Sequence, residues 1–123
     1  MKNAIHWFQI AVADLPRATS FYERILDVRL NAQEGGRPMA IFPYDDKDAR
    51  VGGALVQAPH LQPGPGGQMV YLDADRKLDA VIARVEAAGG SVVQGKTDIS
   101  PHGFVAVIRD TEGNLVGLHS ESR

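Results

Sequence analysis

An α+β fold of two small modules, each a strand, a helix and three further strands, is predicted by three features of the sequence. Apolar residues alternate with period two in several short segments and recur at helical spacing in two places. A proline- and glycine-rich stretch, Pro59-His60-Leu61-Gln62-Pro63-Gly64-Pro65-Gly66-Gly67, interrupts every periodicity near the middle of the chain. The order of elements before that stretch then returns after it. The expected organisation is a single domain over 1–123, with a first module at 4–58, a linker at 59–67 and a second module at 68–119.

The first strand is expected from Ala4 to Ala13, with Phe8, Ile10 and Val12 on one face and Trp7, Gln9 and Ala11 on the other. Asp14-Leu15-Pro16 then opens a helix, because Asp14 can accept backbone N–H bonds and Pro16 sits in a first turn that needs no donor from it. Leu15, Ala18, Phe21, Tyr22, Ile25 and Leu26 form its apolar stripe. Three short strands follow, at 28–33, 38–44 and 50–57, divided by Glu34-Gly35-Gly36 and by a charged loop at 45–48. After the linker come a strand at 68–73, a helix near Lys77 to Ala88 that stops at Gly89-Gly90, and strands at 91–94, 104–109 and 115–119. Asp110-Thr111-Glu112-Gly113-Asn114 forms the last turn.

Bulk properties narrow the function. A net charge of −2 with interspersed signs offers no footprint for nucleic acid or an anionic membrane. The absence of cysteine excludes disulfides, thiolate metal sites and thiol nucleophiles. The polar start, Met1-Lys2-Asn3, suits neither a secretory leader nor a membrane span, so a cytoplasmic protein is expected. Two copies of a unit of about 50 residues are too few for a solenoid, which favours two small sheets paired face to face. In that pairing Trp7-Phe8-Gln9-Ile10 matches Met69-Val70-Tyr71-Leu72, and Gly52-Gly53-Ala54-Leu55 roughly matches Val116-Gly117-Leu118-His119. A helix covers one face of each sheet. Trp7, Met69, Tyr71, Leu55 and Leu115 on the other faces must then meet each other or a ligand.

Taken together, Ile10-Ala11-Val12-Ala13-Asp14-Leu15-Pro16-Arg17-Ala18 with Phe21-Tyr22 and Ile25-Leu26, Val85-Glu86-Ala87-Ala88-Gly89-Gly90, and Arg109-Asp110-Thr111-Glu112-Gly113-Asn114 resemble the vicinal oxygen chelate superfamily. That superfamily includes glyoxalase I, bleomycin-resistance proteins and extradiol dioxygenases. The resemblance covers nearly the whole chain and implies two βαβββ modules around a curved mixed-sheet cavity, commonly completed or exchanged across a homodimer. It also implies metal ligands, in metal-dependent members, on the first and last strands of each module. Those positions here carry Trp7, Met69 (with a one-residue uncertainty at Gln68), Gly117 and a residue near Gly53, and indole, thioether and glycine give a divalent cation no useful donor. Asp27 stands where the family usually has glycine after the first helix.

The expectation is therefore a glyoxalase-like protein, without a cofactor, that binds a small amphipathic or aromatic molecule. Its binding residues would be Trp7, Gln9, Leu55, Gln57, Met69, Tyr71, Leu115 and His119. Apolar walls with a few convergent polar groups are the usual composition of such a pocket. His6 is expected on the helix-facing side with Phe8, and His60 and His102 in exposed loops. His119 shares the presumed cavity face with Gly117 and Leu115, and with Glu121 and Asp73 it is the candidate for proton transfer. Two alternatives stand beside this reading. One is a glyoxalase-type lyase, isomerase or dioxygenase with an unconventional Zn, Ni, Mn or Fe site built from His119 and Glu121, with room for another histidine as a third ligand; the other is a dimerisation module without catalysis.

Overall fold

A computed structural model of the chain describes residues 5–33, 38–44 and 51–122. Its elements follow the predicted order: β1 (Trp7–Ala11), α1 (Leu15–Leu26), β2 (Asn31–Gln33), β3 (Met39–Ile41), β4 (Gly52–Val56), β5 (Tyr71–Asp73), α2 (Leu78–Arg84), β6 (Ser91–Asp98), β7 (Phe104–Arg109) and β8 (Leu115–Ser120). They form two four-stranded sheets, β1-β4-β3-β2 and β5-β8-β7-β6. In both, the first strand runs parallel to the last and the remaining pairs are antiparallel. The helix and the strands after it supply the long return that a parallel pair requires. The turn predicted at 34–36, the charged loop at 45–48, and the ends of two predicted strands at Ala4 and Arg50 lie outside the described residues.

Helix α1 begins where the sequence places it. Asp14 is extended and its carboxylate accepts the Arg17 N–H at 3.0 Å, with Pro16 in the first turn. The helix ends at Asp27, which adopts φ 56° and ψ 51° and donates its N–H to the Glu23 carbonyl. Ala18, Phe21, Tyr22, Ile25 and Leu26 are buried, as the stripe predicts. Tyr22 meets Phe21 and Phe42 edge-on, at ring separations of 5.0 and 5.7 Å.

Strands β1, β2, β3 and β4 are shorter than the expected 4–13, 28–33, 38–44 and 50–57, β8 runs one residue further to Ser120, and three more elements differ in ways their bonding explains. Regular α2 stops at Arg84 rather than Ala88; beyond it the chain tightens into i→i−3 bonds such as Val85 N–H to Ile82 O and Ala88 N–H to Val85 O. Strand β5 is confined to Tyr71–Asp73, although Val70 still accepts the Gly117 N–H. Strand β6 runs on to Asp98 because two register shifts carry Gln94-Gly95-Lys96-Thr97 along β7, where the glycine and polar residues read as loop.

Both helices contact each other, and their apolar faces enter one continuous core with the covered faces of both sheets: Ile10, Val12 and Leu55 on one side, Leu72, Ile108 and Leu118 on the other. Polar contacts tie the modules together around that core. Tyr22 donates to Asp110 at 2.6 Å, Asn114 Nδ2 donates to the Ala11 carbonyl at 2.8 Å, and the Arg84 guanidinium donates twice to the Ile25 carbonyl. Among the described residues no ladder joins a strand of one sheet to a strand of the other.

Candidate functional site

Strand parity decides which side chains leave the core. On β5 and β8, Leu72, Val116 and Leu118 point into it, so Tyr71, Asp73, Leu115, Gly117 and His119 occupy the helix-free face. Tyr71 lies opposite Gly117 in register, and its ring rests on that glycine: a Cβ added there would sit 2.3 Å from Tyr71 Cδ2. Without a side chain at Gly117, the phenol lies down across the sheet and keeps 49% of its surface exposed. A groove of about 780 Å³ opens beside it, lined by Tyr71, Asp73, Ile99, Val105, His119 and Glu121, together with Asp75.

The polar groups of this groove are held by short bonds. Asp73 lies opposite His119 in register, and its carboxylate accepts the Asp75 N–H at 2.9 Å. Asp75 accepts the Glu121 N–H at 2.8 Å and the Ser120 hydroxyl at 3.2 Å. The Glu121 N–H chiefly holds the Asp75 carboxyl below its ordinary pKa. His119 Nε2 lies 2.7 Å from the His102 carbonyl.

On the first sheet the helix-free face carries Trp7 and Gln9. Trp7 is 43% exposed and, with Tyr44, flanks Gly52: a Cβ there would lie 3.1 Å from an atom of each ring. Gln9 Nε2 approaches the Met39 sulfur at 3.9 Å. Neither Trp7 nor Gln9 lines the groove on the second sheet. A second, more apolar groove of about 720 Å³ lies beyond the C-terminal end of α1, between Phe8, Leu26, Val28 and Phe42 on one side and Met69 and Val70 on the other. The expected single hollow shared by Trp7, Gln9, Met69 and Tyr71 is thus divided: Tyr71 and His119 line one groove, Met69 and Tyr71 the other, and Trp7 and Gln9 a separate face.

Several expected positions need correction. Leu55 is fully buried, opposite Ile10 on the helix-facing side, and belongs to the core rather than to a binding face. Gln57 shares that parity; its side chain accepts the Leu15 N–H at 3.0 Å and so caps α1. Gly53 lies under the Phe8 ring on the same covered side. The parallel ladders fix the correspondence, because Val12 N–H bonds Val56 O just as Ala74 N–H bonds His119 O. Counting back from Val56 and His119, Gly117 corresponds to Ala54, one residue away from the expected Gly53. His6 is exposed, since it precedes the first ladder residue of β1. Leu115 keeps its place on the helix-free face, opposite Arg109. Val105, Ile99 and Asp75 were not anticipated at the groove; the glycine opposite Tyr71 was the readable signal that space exists there.

The implied metal does not suit the residues present. Trp7, Met69, Gly117 and Ala54 offer no side-chain donor a divalent cation prefers. His119 engages the His102 carbonyl through Nε2, so only its Nδ1 could face an ion. Among the described residues no three of His, Asp and Glu converge to hold an ion. Nor, among them, is any helix long and apolar enough to cross a membrane.

Residues 4–118 match the model of the Glyoxalase/Bleomycin resistance protein/Dioxygenase superfamily. A protein of Mycobacterium bovis named "Putative glyoxylase CFP32" is 28% identical over 112 residues; the match covers 91% of this chain but 42% of that protein, so the chain spans about two-fifths of its relative's length. Among solved structures, a glyoxalase/bleomycin resistance protein from Albidiferax ferrireducens T118 superposes with a TM-score of 0.74 at 19% identity, over 96% of this chain and 99% of that one. Another, from Streptomyces sp. CB03234, gives 0.69 at 26% identity, over 94% and 99% of the two chains.

Proposed function

The chain belongs to the Glyoxalase/Bleomycin resistance protein/Dioxygenase superfamily, and from that premise we propose that it binds a flat, largely apolar small molecule in the groove of its second sheet, without a divalent metal, as a homodimer. The observation that carries this reading is the Tyr71 ring lying on Gly117 with half its surface open, beside a groove large enough for a small ligand. A flat ring laid on that phenol gains stacking as well as burial, typically about 0.5–1.5 kcal/mol beyond the area removed from water. Val105 supplies an apolar wall, while Asp73 and His119 supply the few polar groups that orient a ligand.

Two exposed aromatic faces that one chain leaves apart support the homodimer. Trp7 and Tyr44 stand on the first sheet and Tyr71 on the second, each 43% exposed or more. A second copy laying its first-sheet face over the groove would cover both and bring an indole opposite the phenol. The single tryptophan makes this measurable. Aromatic ligands are expected to change Trp7 emission at protein concentrations where sedimentation finds a dimer, and not where it finds a monomer. A broad panel of aromatic metabolites that never alters the emission would remove the reading. Stoichiometric Zn, Ni, Mn or Fe in tag-free protein, lost in His119→Ala, would favour a metal-dependent lyase, isomerase or dioxygenase instead.

A further inference from the structure

Resting on the reading that the second-sheet groove binds a small molecule, we infer that His119 serves it as a fixed hydrogen-bond acceptor through Nδ1, selecting a bicyclic aromatic ligand whose edge carries an N–H donor. A carbonyl oxygen can only accept, so the 2.7 Å contact with His102 O requires the proton on His119 Nε2. In the neutral ring Nδ1 then bears the lone pair, and Nδ1 has no protein partner among the described residues. The sequence alone does not reveal this, because His102 is 17 residues away.

The carbonyl that selects this tautomer is itself held in place. Ile99 N–H donates to Gly103 O at 2.8 Å and His102 N–H to Ile99 O at 3.0 Å, closing a tight loop. Gly103 adopts φ +103°, and a Cβ there would lie 2.3 Å from the Ser120 carbonyl. Only glycine lets the loop press so closely against the strand that carries His119.

Position supplies the ligand class. Tyr71 and Gly117 form the stacking platform, and His119 lies two residues further along the same face of β8, a rise of about 6.7 Å. A two-ring system spans that interval. The titratable groups facing the imidazole are Asp73 from β5, Asp75 beyond it, Glu121 past the end of β8, and Tyr71. One oxygen of Asp73 and one of Asp75 already accept backbone N–H bonds, whereas His119 Nδ1 is uncommitted.

Indole and 1-methylindole are suitable probes, since they share the ring system and differ in the donor. In long-range 1H–15N spectra of the labelled protein at a pH where the ring is neutral, His119 is expected as the Nε2–H tautomer, and its Nδ1 resonance is expected to move on adding indole. Indole should bind roughly three- to tenfold more tightly than 1-methylindole, the worth of one hydrogen bond, and the difference should vanish in His119→Phe. A dominant Nδ1–H tautomer, or equal binding of the two probes to the unaltered protein, would overturn the acceptor role while leaving the groove as a binding site. If neither probe perturbs Tyr71 or His119 at millimolar concentration, the acceptor and the groove reading both fall.

Discussion

Asp27 is a residue whose conformation and chemistry disagree. It closes α1 at φ 56° and ψ 51°, a region where an L-residue with a Cβ loses roughly 1–2 kcal/mol relative to right-handed backbone. Aspartate tolerates this better than most, and the cap is still made, because its N–H reaches the Glu23 carbonyl. Glycine carries no such strain but adds about 0.5–1 kcal/mol of unfolded-chain entropy. The balance favours glycine, so Asp27→Gly is expected to raise the unfolding free energy by about 0.5 kcal/mol, read as a higher urea midpoint at unchanged slope. A lower midpoint would mean that the aspartate side chain contributes something the helix end needs. In the sequence this turn is marked only by the family resemblance, whose members usually carry glycine where Asp27 stands.

Among the elements, the turn before β8 does more than connect two strands. Glu112 in that turn has a fully buried side chain that accepts the N–H groups of Ala13 and Asp14 at 2.9 Å each and the Arg17 guanidinium at 2.8 and 2.9 Å. Burial alone would raise its pKa, but the bonds from Arg17, Thr111 and those two backbone groups together lower it to about 2. A carboxylate depressed in the folded state stabilises fully above its unfolded pKa and loses that contribution as pH falls through the folded value. This part of the stability should therefore persist above pH 4.5 and fade towards about 2. Glu112→Ala should cost about 2–4 kcal/mol at neutral pH and flatten the acid limb of the stability profile. An unchanged acid limb in the variant would show that other carboxylates control it. How legible each element was depends on its two faces. β1 alternates between core and exposure, and its parity could be read directly. β4 is buried at all five positions, so Gly52-Gly53-Ala54-Leu55 carries no alternation, and its alignment to β8 slipped by one residue. That slip put Leu55 on the wrong face. β6 was cut short for the opposite reason, because its second half is polar and bulged yet still pairs with β7.

At the scale of the whole molecule, two modules share one core, and the contacts between them join residues far apart in the chain. Tyr22 and Asp110 are separated by 88 positions, Asn114 and Ala11 by 103, and Arg84 and Ile25 by 59. Periodicity reports only local order, which is why the two modules were readable while their packing through α1 and α2, and the separation of the two aromatic faces, were not. The shared core has a mechanical consequence: neither module can lose its helix without exposing the other's apolar face, so the chain should unfold as one unit despite its internal repeat. Urea titrations followed by Trp7 emission, which reports the first sheet, and by far-ultraviolet dichroism, which reports both, are expected to coincide. Tyr22→Phe probes the joint itself. It removes a donor to Asp110 in a buried site, while Asp110 keeps the bonds from Glu112 N–H, Asn114 N–H and Asn114 Nδ2. A loss of about 1.5–3 kcal/mol is expected for a hydrogen bond to a carboxylate, with both probes shifting together. Two separated transitions, in the native protein or in this variant, would show that each module has a core sufficient to itself and that the joint between them is secondary.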